Sequence, residues 1–196
     1  MKGKIQTGLL ALTAAMCVSF NASADWQLNN DQSSVNFIST KKAKVSEIHT
    51  FKSVGGAITD AGKANIEIQL ASVDTNIGIR NERMQAMLFE VSKFATANIS
   101  AAVDATKATN LKAGESFTTK TKLDINLHGK TVSADAELRA VKLASGQLAV
   151  STIKPLLINA ADFELVEGIE KLREVAKLPS ISTAVPVTVD LVFDKK

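Results

Sequence analysis

The side chains able to do chemistry are few and dispersed. His49 and His128 lie far apart with no thiol between them, and the one cysteine is Cys17 near the start of the chain. A zinc site draws on clustered Cys, His and carboxylate ligands, so no metal centre is expected here. No Gly-x-Ser-x-Gly elbow occurs, and scattered Ser, His and Asp residues do not define a triad, so no catalytic residue is assigned and the chain is read as a non-enzyme. What remains is a pair of cations beside a group of apolar side chains. Arg80 and Arg83 flank the start of a candidate helix, where they could meet a carbonyl oxygen or a phosphate, or simply pair with Glu82 or Asp74. Phe51, Met87, Leu88, Phe89 and Phe94 could gate an apolar ligand, because Met and Phe adapt to a flexible partner; ordinary core packing serves each of them equally well.

The elements that must position these residues follow from a period of two. Phe117, Thr119, Thr121, Leu123, Ile125 and Leu127 share one parity, and Lys120, Lys122, Asp124, Asn126 and His128 the other. Alternate side chains of a strand point to opposite faces, so this segment has one dry side and one wet side. The pattern recurs at Ala64 to Leu70, Ile99 to Val103, Val132 to Leu138 and Val185 to Phe193, with Gly-containing turns between. Nine candidate strands result: 33–39, 44–52, 54–59, 63–71, 98–105, 116–128, 131–141, 146–153 and 183–194. Two segments follow helical spacing instead. Met84, Met87, Leu88 and Val91 predict a short helix over 81–91 capped by Asn81, and Leu165, Ile169, Leu172 and Ala176 predict a longer one over 162–177. The expected fold is mainly β: an antiparallel, lipocalin-like barrel of about eight strands, or a sandwich, with one short helix and one longer helix near the C-terminus.

Residues 1–24 read as a secretory signal peptide. Lys2 and Lys4 precede an apolar run from Ile5 to Phe20, and Ala22-Ser23-Ala24 offers a cleavage pattern. That places Cys17 in the discarded leader and leaves 25–196 as one domain in the periplasm, held by its core without disulfides. Loss of two lysines lowers the net charge from +3 to +1, too small for a nucleic-acid partner. The mature chain has no apolar run long enough for a helical membrane span, and it lacks the aromatic girdles of a membrane barrel, having Trp26, no Tyr and seven Phe.

A soluble barrel turns its dry parity inward. The inward residues are Ala, Val, Thr and Ile far more often than aromatics, which predicts a narrow apolar lumen suited to a linear lipid. A fully packed core, giving a ligand-free interaction or stress-related module, fits the same periodicity; a lipid hydrolase or isomerase would instead need polar groups converging inside.

Several segments resemble the YceI-like family of lipocalin-like, polyisoprenoid-binding periplasmic proteins. They are Trp26-Gln27-Leu28 with Ser33 to Phe37, Phe51 before Gly55-Gly56, Ala71 to Thr75 leading to Arg80-Asn81-Glu82-Arg83-Met84, Leu88 to Val91, Lys93-Phe94, Leu123 to Thr131, and Asn159 with Asp162-Phe163. Their order spans nearly the whole mature chain. Arg80-Asn81, Arg83 and Phe94-Ala95 depart from residues common in the family, so no carboxylate role beside Arg80 transfers. The resemblance implies an isoprenoid lipid or quinone as ligand and partner; no cofactor is expected, and the chain is read as a monomer or homodimer.

Overall fold

The computed structural model describes residues 24–196; the expected leader falls outside them except for Ala24. In chain order the strands are β1 (Ala24–Leu28), β2 (Ser34–Lys41), β3 (Val45–Phe51), β4 (Val54–Thr59), β5 (Lys63–Gln69), β6 (Val73–Asp74), β7 (Thr96–Ala102), β8 (Ser116–Leu127), β9 (Lys130–Lys142), β10 (Leu148–Thr152), β11 (Leu156–Asn159) and β12 (Ala184–Lys195). All pairings are antiparallel. The path β1-β4-β5-β7-β8-β9-β10-β12 returns to β1 through Trp26↔Lys195 and Leu28↔Phe193, closing an eight-stranded barrel. Closure leaves no free edge in this ring, and an open edge would invite pairing with another chain.

Beyond this ring the barrel is drawn out on one side. β12 is long enough to pair β10 and β1 with its second half and β2 and β11 with its first. β2 continues to β3, and β3 to the short β6. A break at Ile153-Lys154-Pro155 separates β10 from β11, where proline supplies no ladder donor.

Strand alternation and turn placement follow the sequence closely, whereas the helices differ from expectation. The segment expected as 81–91 is α1 (Gly78–Arg83) running into a π turn, Met84–Leu88. Asn81 is not its cap: its Oδ1 accepts both the Thr75 amide at 2.9 Å and the Thr75 hydroxyl at 2.6 Å, bracing the loop from the side. An unexpected helix, α2 (Ala105–Asn110), starts after Asp104, whose carboxylate accepts the Lys107 amide at 2.8 Å. The late helix is split. A 3₁₀ turn, Ala160–Phe163, ends at Glu164 in the left-handed region, and α3 (Val166–Val175) follows.

In an up-and-down barrel successive connections alternate between ends. The turns 42–44 and 128–129, the α1 and π segment, and α3 gather at one end, and α2 with the turns 60–62 and 143–147 at the other. The Lys42 amide bonds the Ser180 carbonyl at the first end, and the Val103 amide bonds the Gly62 carbonyl at the second. Trp26, Phe193, Leu148 and Val35 are among the most deeply buried side chains.

Candidate functional site: an apolar lumen

Inward parity builds one continuous cavity of about 270 Å³ through the barrel. From Phe117 near α2 to Leu127 at the opposite end, the wall residues of β8 span ten residue steps, roughly 33 Å along a strand and roughly 25 Å along the axis once strand tilt is included. The cavity is larger than an engineered void of ~150 Å³ that accepts benzene, and it is long and thin. Among its lining residues only Asp104, Thr119 and Thr152 carry polar side-chain atoms. Asp104 is occupied as the α2 cap, and Thr152 Oγ1 accepts the Val189 amide at 3.2 Å. The inner positions therefore leave a hollow where a packed core was the alternative.

Each end is closed by a helix. Ala105 and Ala108 of α2 face the lumen at one end. At the other, Leu165 and Ile169 of the α3 segment meet Leu88 and Phe89 of the π segment. Phe89 lies 5.8 Å from Phe51, Phe51 5.3 Å from Phe37, and Phe37 5.2 Å from His49, so an aromatic row runs from the lid into the wall.

Of the residues singled out from sequence, Phe51, Leu88 and Phe89 line the lumen. Arg80, Arg83, Met87 and Phe94 lie outside its lining, around the lid. Arg80 donates from Nη1 to Glu47 at 2.8 Å and from Nη2 to the Thr75 carbonyl at 2.5 Å. Its partner is Glu47, an alternative to Glu82 or Asp74 brought near by the fold. Arg83 and Met87 are half-buried, and the Phe94 ring stands 4.3 Å from His128. The two histidines do not meet a shared ligand. His128 Nε2 is 3.1 Å from Glu90, and His49 Nε2 is 2.8 Å from the Ser39 hydroxyl. Burial, assisted by the Arg80 charge, holds His49 below the usual imidazole range. Glu47 is held below the usual carboxylate range, chiefly by its hydrogen bond from Lys41.

The sequence points to a gate and to two helices over a barrel mouth or flank, and its periodicity gives no sign of the third helix, α2. Leu165 and Ile169 belong to the apolar stripe expected over a barrel mouth or flank, and they line the lumen at the mouth. Ala105 and Ala108 were hidden because Ile99, Ala101, Val103 and Ala105 continue an alternation into the helix; the overlooked signal was Asp104 three residues before Lys107.

The YceI-like domain model matches residues 26–193. The chain belongs to the YceI-like domain family. A polyisoprenoid-binding domain from Saccharophagus degradans, implicated in plant cell wall breakdown, is 37% identical and superposes with a TM-score of 0.87, covering 89% of this chain and 100% of that one. BcnA of Burkholderia cenocepacia has a TM-score of 0.64 at 16% identity over 84% of this chain and 98% of its own. The YCEI protein of Campylobacter jejuni has a TM-score of 0.52 at 16% identity over 76% and 85%. At that identity the last two share the fold alone. No curated protein matches the chain. Among the described residues of this YceI-like protein, no helix is long and apolar enough to cross a membrane.

Proposed function

We propose that this YceI-like protein binds a long isoprenoid lipid, of quinone or polyprenyl type, in its barrel lumen, and stores or transfers it in the periplasm without catalysis. The observation that carries the reading is the unbroken apolar cavity between two helical plugs. Ten buried chain carbons contribute about 8 kcal/mol before the cost of ordering a flexible lipid is subtracted, enough for useful affinity. The polyisoprenoid binding of the Saccharophagus degradans relative supports the same ligand class, and the leader-like N-terminus supports the compartment. In this reading Phe51, Leu88 and Phe89 contact the chain, while Arg80, Arg83, Met87 and Phe94 brace or flank the lid. A carrier also suits the lumen's inventory, since its one carboxylate, Asp104, is engaged with a helix amide.

Organic extraction of protein purified from its own host, followed by mass spectrometry, tests this. A reproducible prenyl lipid is expected. Its absence from both native and lipid-reconstituted samples overturns the proposal.

A further inference from the structure

The drawn-out side of the barrel carries an outer face unlike the rest of the surface. Leu156 and Ile158 of β11 line the lumen, so Leu157 between them points outward, and it is 75% exposed. Leu157 pairs Pro186 in β12. The β12–β2 register, Val187↔Phe37, sets Pro186 opposite Ile38, and Ile38 pairs Ile48 in β3, which is 67% exposed. Four adjacent strands thus present Leu157, Pro186, Ile38 and Ile48 as one outward apolar row, roughly 15 Å across at the usual strand spacing. Ile77 and Ile79, also exposed, lie in and before α1, which follows β6 on the flank of β3. Scattered exposed aliphatics are ordinary, but a contiguous row is not.

Charge accompanies this row. The β2–β3 turn holds Lys42 and Lys44, each four residues beyond the row on its own strand, about 13 Å away. Lys41 is paired with Glu47 at 2.7 Å, whereas Lys42 and Lys44 are exposed and form no ion pair with a described carboxylate. Both the row and the lysines sit at the lid end, beside α1 and the 178–183 segment that follows α3.

We propose that this face, Leu157-Pro186-Ile38-Ile48 with Lys42 and Lys44, docks the protein on an anionic phospholipid bilayer, setting the lid end of the lumen against the membrane. The patch is a few hundred Å² at most, short of the ~800 Å² per partner that a stable protein interface uses. Shallow insertion of aliphatic side chains flanked by lysines suits a bilayer surface, where small apolar area and charge attraction add. The choice of a bilayer also rests on the lipid-carrier reading, because cargo of that class enters and leaves through a membrane.

Flotation with phosphatidylcholine vesicles, with and without phosphatidylglycerol, tests the proposal on the full protein as purified. Wild type is expected to float with the anionic vesicles and to release as salt rises. Ile48→Ser with Leu157→Ser should reduce vesicle binding about tenfold or more, because two large aliphatics leave the contact. Lys42→Glu with Lys44→Glu should erase the preference for phosphatidylglycerol, at about fivefold for each lysine. Extracted lumen lipid, measured in parallel, should be unchanged in every variant, since none of these residues lines the cavity. Loaded wild type that fails to float, or variants that float like wild type, overturns the docking face. Concentration-dependent self-association abolished by Ile48→Ser, without vesicle binding, overturns it in favour of a second copy. Vesicle binding lost in the variants while no preparation contains lipid supports the docking face and removes the carrier reading instead.

Discussion

Gly168 of α3 and Leu88 of the π turn meet backbone to backbone: a Cβ on Gly168 would lie 2.8 Å from Leu88 Cα and 2.7 Å from the Met87 carbonyl oxygen. No flexible side-chain tip could yield there, so this glycine sets how closely the two halves of the lid approach. Gly168→Ala is expected to lower stability by about 1–3 kcal/mol, as overpacking does, and to loosen the lid selectively. Urea unfolding gives the first quantity. Transfer of bound lipid to acceptor vesicles gives the second, expected to be faster than in wild type; unchanged transfer with lowered stability would detach lid packing from lipid release.

Filling the lumen should separate binding from folding. Ala101 on β7 lines the cavity and pairs Leu123 on β8. In Ala101→Phe the ring enters space already present, so the cost to folding does not exceed the about 1–3 kcal/mol of small-to-large changes in a filled core. Bound prenyl lipid should fall about tenfold or more, because the chain and the ring compete for one narrow passage. Quantitative mass spectrometry and thermal unfolding on the same samples check both halves. Full lipid loading in a folded variant would place the ligand elsewhere.

The Arg80 fork ties α1 to β3 through Glu47 and to the loop through the Thr75 carbonyl. Arg80→Ala frees a carboxylate and a carbonyl together and should cost about 1–2 kcal/mol, discounted for the third of Glu47 that remains exposed. Arg80→Lys should recover only part of this, since an ammonium cannot bridge both acceptors in the same geometry. Chemical denaturation of the three proteins is the measurement, and equal stability of the Lys and wild-type forms would refute the bridging role.

The barrel was legible because burial on one face writes itself as alternation. The run Phe117 to Leu127 and its partner strand needed nothing beyond parity. β1 and β11 escape parity for a physical reason: they are short strands beside an asparagine-rich turn and a proline, and their partners, β4 and β12 for β1 and β12 for β11, come from distant parts of the chain. Met84 and Leu88 keep helical spacing, so parity cannot distinguish the π turn from plain helix; α3 packs against it. Small inner residues imply the hollow, and the stripe of α3 implies a helix over a barrel mouth or flank, but α2 is masked because Val103 and Ala105 prolong the alternation of β7. Arg80 illustrates the same limit. Its partner Glu47 lies 33 positions away, and the long-range pairing of β3 with β6 brings α1 to it.

His49 makes the fold's response to mild acid testable. Its side chain is 3% exposed, its Nε2 contacts the Ser39 hydroxyl and its Nδ1 has no partner. Burial first, and the Arg80 charge second, depress its folded pKa, while the unfolded chain takes up the proton near pH 6.5. Between those two values the unfolded state holds more protons than the native state, so stability falls as pH drops through about 6.5 and levels off below the folded pKa. The slope is bounded by about 1.4 kcal/mol per pH unit for one group. Glu47, whose folded pKa is depressed, acts in a lower window: its contribution is present above the carboxylate range and is lost as pH falls through about 4 and below. Glu47 therefore stays ionised over the interval from about pH 7 to 5, and removal of the His49 imidazole reads its own share there. His49→Phe retains a ring beside Phe37 and Phe51 but cannot titrate, so its stability should change less over that interval than wild type, with the two curves converging toward acid. Urea unfolding at successive pH values reads this difference, and parallel curves would mean that His49 accepts its proton in the folded state as readily as in the unfolded one.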